Sequence, residues 1–250
     1  MSTKSVTLNR NLRANWLTES LRLRATGVPA EDAIEQIDNL IATEIQGVES
    51  RRKSLRYLRQ LWLSPHPTLE RLQKEAFELY RNDPRNETAR NLSFFMLLAV
   101  YPFAREVAEV CGQLFRLQGS VKTEQIKRKI VAKHGEREPV LRSTRYAISI
   151  FSDLGILKSE AQRGTYLAGK RNGGISNTAA FSLEALFIST GKSSISRSDL
   201  DLHPALFAFD SSSLVAAAIS DQRFTLSRES MSREMVTLSR VQQEWPEFGR

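Results

Sequence analysis

Apolar residues recur at three- and four-residue spacing through most of the first 155 positions, the period of helices with one buried face. Asn11 to Thr26 places Leu12, Trp16, Leu17 and Leu21 on one side and stops at Gly27. A second helix restarts at Val28-Pro29-Ala30-Glu31-Asp32, with acids in its first turn where the helix dipole favours them, and repeats Ala33, Ile34, Ile37, Ile41 and Ile45. Ser50 opens a third, with Leu55, Leu58 and Trp62 opposite a basic face of Arg51, Arg52, Lys53, Arg56 and Arg59. Ser64-Pro65-His66-Pro67 breaks the pattern, and Thr68 is the expected cap of a helix carrying Leu69, Leu72, Ala76, Phe77 and Tyr80, closed by Asn82-Asp83-Pro84. Thr88 to Val100 and Tyr101 to Leu117 are the most apolar stretches, separated or kinked at Pro102. Residues 11–117 therefore read as an all-α bundle of about six helices, preceded by a loose arm at 1–10.

The pattern changes after residue 118. Thr123 to His134 carries Ile126, Ile130 and Val131 and ends at Gly135. A second helix starts at Glu138-Pro139, where the missing proline N–H costs nothing, and ends at Gly155. Its expected apolar face is Leu141, Ile148, Phe151 and Leu154. Then come Gly155-Ile-Leu-Lys158, a polar turn 159–164 and Thr165-Tyr-Leu-Ala168, which read as strand, loop and strand. Two helices followed by a hairpin give residues 118–171 the pattern of a winged helix-turn-helix.

Residues 172–250 read as a smaller α+β region. Arg171-Asn172-Gly173-Gly174 is a turn and lacks the Gly-Lys-Ser/Thr ending of a phosphate-cradling loop. Phe181 to Thr190 is a short helix, Lys192 to Arg197 a polar loop, and Leu200 to Phe209 an apolar stretch around His203-Pro204. Ser211 to Ser220 is helical, and Phe224 to Ser227 and Met235 to Leu238 alternate as a second hairpin. Helix followed by hairpin echoes the winged unit without any visible sequence repeat. The fold class is thus mainly α, a bundle followed by a winged helix and an α+β tail.

Charge sharpens this picture. Residues 116–171 hold 13 Lys/Arg against 5 Asp/Glu, a net of +8 equal to that of the whole chain, so the remainder is neutral. A basic excess confined to one helix-turn-helix-like segment is the footprint of a nucleic-acid contact; an ordinary helical domain with a solvated basic surface is the alternative. The single Cys111 excludes an internal disulfide framework, suits a reducing cytoplasm and sits among apolar neighbours. Residues 1–15 have no apolar run, and Phe94 to Ala104 is too short to cross a bilayer, so a cytoplasmic protein without a membrane partner is expected.

Catalytic patterns are missing. His66, His134 and His203 are far apart in sequence and show no metal-ligand spacing, and no Walker, Rossmann or Gly-x-Ser-x-Gly motif occurs. Asp199 and Asp201 beside His203 form the only acid–imidazole group, which loop chemistry explains equally well. The expectation is a non-enzyme with no cofactor and no metal.

The order of short motifs also resembles a known family. Glu19-Ser20 lies in the first helix and Leu61-Trp62 ends the Arg-rich one. The Leu69/Leu72 helix follows, then Leu97-Leu98-Ala99-Val100-Tyr101, Arg142-Ser-Thr-Arg145 and Leu154-Gly155-Ile-Leu157. Across residues 12–160 this resembles the BrxA family of bacterial BREX phage-resistance systems; residues 170–250 run longer than that family. The resemblance implies an α-helical fold with a part similar to the NusB antitermination protein, DNA binding, and work beside a methyltransferase and other defence proteins.

The sequence thus points to double-stranded DNA as partner, with the second helix of the winged unit in the major groove. Arg142, Arg145, Tyr146 and Ser149 face bases or flanking phosphates in this reading, since arginine can bridge guanine O6 and N7. Lys127, Lys129 and Lys133 on the first helix, Arg137 between the helices, and Arg163, Lys170 and Arg171 on or after the wing contact phosphates. Two rivals stand: an assembly subunit whose winged helix binds other defence proteins, and a transcriptional regulator or RNA-binding protein using the Arg51 to Arg59 helix.

Overall fold

The computed structural model of the chain describes residues 8–169, 175–230 and 233–239. The described residues are mainly helical, with two small antiparallel sheets of three strands each. The turn expected at 171–174 and most of the arm expected at 1–10 lie outside the described residues. Where that arm is described it is not loose: Leu8 is fully buried, and the Asn9 N–H donates to the Tyr57 hydroxyl at 3.0 Å.

Six helices come first: α1 (Ala14–Ala25), α2 (Ala30–Ala42), α3 (Val48–Leu58), α4 (Glu70–Asn82), α5 (Asn86–Val100) and α6 (Pro102–Phe115). The spacing that marks them in sequence is the spacing that buries them. Trp16, Leu17 and Leu21 of α1, Ala33, Ile37 and Ile41 of α2, and Leu72 and Ala76 of α4 are all sealed from solvent. α5 is buried nearly all round, as expected of a helix apolar on every face. It packs against α1, α6 and the later helix α9 (Ile175–Thr190). Pro102 occupies the first turn of α6, so the chain turns there and does not kink within one helix.

The α3–α4 connection departs from expectation. α3 runs on through a π-helical turn, Arg59–Leu63, and α4 starts at Glu70 without a side-chain cap from Thr68. The cap is His66, whose Nδ1 accepts from the N–H groups of Thr68 and Leu69 at 3.2 Å each. The buried Gln73 serves the end of the preceding helix. Its Nε2 donates to Leu61 and Ser64 carbonyls at 2.9 and 3.1 Å while its Oε1 takes the His66 N–H at 2.8 Å. Orphan carbonyls at a helix end need such partners.

After α6 come β1 (Val121–Lys122), α7 (Thr123–His134), α8 (Glu138–Asp153), β2 (Leu157–Ser159) and β3 (Thr165–Ala168). The sheet order is β1-β3-β2, with Val121 opposite Tyr166 and Lys158 opposite Leu167. β1 is a strand the sequence pattern did not reveal. α8 buries a wider face than Leu141, Ile148, Phe151 and Leu154: Leu141 is only half-buried, whereas Val140, Ala147 and Ile150 are sealed. The reason is that α8 has neighbours on two sides. It packs on α7 and on α6, and Asp153 near its end accepts the Ala14 N–H at 2.5 Å, capping α1 from 139 residues away.

The remainder is α9, β4 (Ser194–Ser196), α10 (Arg197–Asp201), a 3-10 turn Pro204–Leu206, α11 (Ser211–Ala218), β5 (Phe224–Ser230) and β6 (Arg233–Leu238). The short helix expected at 181–190 begins six residues earlier. The polar loop expected at 192–197 instead contains β4, which pairs with β6 in a sheet of order β4-β6-β5. Both sheets therefore place their last strand in the middle. The regions interlock through one continuous core. Phe94 of α5 touches Phe151 of α8 and Phe209 before α11, with ring centroids 5.5 and 5.8 Å apart. At Gly112 of α6, an added Cβ would lie 1.9 Å from the Pro204 carbonyl oxygen, so only glycine admits the 3-10 turn there.

Candidate nucleic-acid interface

Residues 121–169 gather most of the basic side chains singled out in the sequence on α7, α8 and the β2–β3 turn. The first of these, α7, starts where the Gln125 side chain accepts the Lys122 N–H at 2.8 Å, half of a capping box. The β2–β3 turn is pinned beside it. The Thr123 N–H and hydroxyl both donate to the Gly164 carbonyl, at 2.8 and 3.2 Å, and Gly164 has φ +77°, a conformation glycine adopts without strain. Arg163 is thereby carried, exposed, at the tip of a turn fixed to the start of α7.

The structure sorts the expected contact residues by what already holds them. Lys127 pairs with Glu124 at 2.7 Å and Lys133 with Glu106 of α6 at 3.0 Å. Arg142 and Arg145 converge on one carboxylate oxygen of Glu138, at 3.4 and 3.2 Å. Lys129 and Arg163 are exposed and make no ion pair among the described residues; Arg137 is exposed and donates to the His134 carbonyl at 3.1 Å. Tyr146 is half-buried on α8. Ser149 and Arg145 line a groove of about 370 Å³ together with Arg13, Thr123, Ile148 and Tyr166. Lys170 and Arg171 lie outside the described residues.

Arg128 and Arg13 also belong to this surface without having been singled out. Arg128, between Lys127 and Lys129, is exposed and without an ion pair among the described residues; its place in a Lys-Arg-Lys run was the available signal. Arg13 reaches the groove from the start of α1, and no local pattern could bring it there. The Arg-rich face of α3 is more committed: Arg51 pairs with Asp38, Arg52 with Glu49, and Arg56 lies over the Tyr57 ring.

Glu106 shows how α7 is fastened to α6. Burial alone would push its carboxyl up, but hydrogen bonds from His134 (2.6 Å) and Lys133 outweigh this and hold it below the ordinary glutamate value. In the acid–imidazole group around residue 200, no hydrogen bond joins His203 to Asp199 or Asp201 among the described residues, although the Asp199 charge works against the lowering of the His203 pKa. Asp201 pairs with Arg197 at 3.1 Å, the Asp199 N–H donates to Ser196, and His203 Nδ1 accepts the Ala205 N–H at 3.3 Å. Among the described residues no cluster of three His, Cys, Asp or Glu could hold a metal ion, and no helix is long and apolar enough to cross a membrane. Cys111 is fully buried, which pushes its thiol up to about 12 and leaves it inert as a nucleophile.

No family model, no curated protein and no solved structure matches the chain.

Proposed function

We propose that the chain is a non-enzymatic double-stranded DNA-binding protein of a bacterial anti-phage system of the BREX type, and that residues 118–171 act as a winged helix. The observation that carries this reading is the set of exposed cations Arg128, Lys129 and Arg163, without ion pairs among the described residues, on a unit whose 12 Lys/Arg against 5 Asp/Glu hold nearly all of the chain's net charge. Support also comes from the order α6, β1, α7, α8, β2, β3 with the last strand central, the order a winged helix has. The defence setting rests on the sequence resemblance to the BrxA family.

In this mechanism the face of α8 that carries Arg142 and Arg145 enters the major groove, because Val140, Ala147, Ile150 and Phe151 commit another face of the helix to the core. Arg142 and Arg145 read base edges. Arg128, Lys129, Arg137 and Arg163 contact phosphates, fixing register while releasing counterions. Lys127 and Lys133 must leave Glu124 and Glu106 to join them.

The test is a titration of a labelled duplex of arbitrary sequence at two salt concentrations, with an RNA of matching sequence alongside. Binding should weaken steeply with salt, by a log–log slope of about −0.9 per phosphate contact. The double variant R142E/R145E should lower duplex affinity at least ~10-fold; unchanged affinity sinks the reading. An assembly subunit is the second reading, favoured by one apolar feature. Phe115 stacks on Phe207 at 5.1 Å beside the exposed Leu202, in a groove of about 270 Å³, and Leu117 two residues on is 80% exposed. Capture of partner proteins that survives R142E/R145E, with no duplex binding by the wild type, would select it.

A further inference from the structure

Glu138 is the first residue of α8, exposed in its first turn, and it is the anion that Arg142 and Arg145 share. Its Oε1 lies 3.4 Å from Arg142 Nε and 3.2 Å from Arg145 Nη2, with the carboxylate 58% exposed. Each contact is a weak surface pair by itself. Their geometry matters more than their strength. One carboxylate at the mouth of the helix orients two guanidinium groups, and any phosphate that approaches them also meets its negative charge.

We infer that Glu138 is the specificity-determining residue of the α8 interface, disfavouring indiscriminate phosphate contact and compensated only where a duplex presents a cytosine amino group beside a guanine. This rests on the DNA-binding reading. The chemistry is that of the major groove: cytosine N4–H₂ is a donor that a carboxylate accepts, and guanine O6 and N7 are acceptors that an arginine spans. In an A·T pair the adenine N6–H₂ is flanked by acceptors on both sides, adenine N7 and thymine O4, which repel the carboxylate, whereas the cytosine N4–H₂ has an acceptor, guanine O6, on one side only. Glu138, Arg142 and Arg145 on adjacent turns of one helix thus form an acceptor–donor set that fits neighbouring C and G edges.

The experiment titrates wild type and E138A against two duplexes of equal length, one alternating A·T and one alternating G·C, in the same buffer. Removing the carboxylate should tighten binding to the A·T duplex by about 3- to 10-fold, the scale of one unscreened surface charge. The wild type's preference for G·C should fall by a similar factor. Duplex binding by both proteins with an unchanged G·C-to-A·T ratio overturns the inference and leaves DNA binding standing. Weaker binding of E138A to both duplexes does the same, since it would make Glu138 a support for the arginines and not a filter. If neither protein binds either duplex, the DNA-binding reading falls and the inference with it.

Discussion

His66 and His203 do the same job in two distant turns. Each precedes a proline, which has no N–H, and each uses Nδ1 to accept the backbone N–H that follows the proline. A ring nitrogen can accept only when it carries no proton. Burial lowers both imidazoles, His203 to about 4, with Arg105, Lys192 and Arg116 adding to the effect. Glu109, 3.7 Å from His203, does not reverse this because Arg105 already engages it. Folded values below the unfolded ~6.5 mean that the unfolded chain binds protons first. Stability is then fully present above pH ~6.5 and falls as pH drops toward 4, by on the order of 2–3 kcal/mol for His203. Denaturant titrations across that window should show the slope, and His203→Asn, which keeps an acceptor without a titration, should flatten it. Gly112→Ala is the complementary prediction. Its methyl would meet the Pro204 carbonyl, so the variant should lose about 1–3 kcal/mol, read as a lower denaturation midpoint. The sequence offered little warning of either effect. Two His-Pro pairs could be seen, but a capping role depends on which N–H the turn brings near, and Gly112 looked like an ordinary glycine in an apolar helix.

Among the elements, α4, α9 and the turn before β5 are joined by a cluster of opposed charges. Glu184 of α9, with its side chain only 3% exposed, takes Arg223 at 2.7 Å and also pairs with Arg71 of α4. Arg223 in turn holds Glu75 of α4 and Asp221, each at 2.9 Å. Burial disfavours the Arg223 charge, yet Glu75 and Asp221 raise its pKa above the usual arginine value. Removing one partner of such a group strands the others away from water. Arg223→Ala should therefore cost about 3–5 kcal/mol, whereas Arg228→Ala, whose side chain is 78% exposed, should be near neutral. Chemical denaturation of the two variants separates a structural clamp from a solvated pair. Elements with a long apolar period, such as α1, α2, α4 and α8, were legible to within a few residues. β1 and β4 were not, because two or three residues carry no period; only their pairing with β3 and β6 makes them strands.

At the scale of the molecule, the basic unit and the region after it share an order of parts while differing in charge. Helix, short strand, two helices and two paired strands occur twice, each time with the last strand central. The first copy presents Arg142 and Arg145 on its second helix; the second presents α11, whose residues 211–218 contain no charged side chain. The halves therefore diverge where the proposed DNA contact lies. What was legible of the candidate site follows the same logic. Residues 127–145 stood out through local charge, whereas Arg13 came to the groove only because Asp153 anchors α1 to the end of α8.

The Glu184 cluster also bears on the order in which the chain can acquire its shape. α9 is made well before Arg223, and until that arginine arrives Arg71 is the one cation among the described residues that accompanies the Glu184 carboxylate into the interior. A growing chain would gain little by closing α9 onto α4 and α5 early, since doing so commits a carboxylate to a half-filled site. Vectorial synthesis should thus leave the earlier helices waiting, with their final docking timed by a residue 148 positions downstream of Glu75.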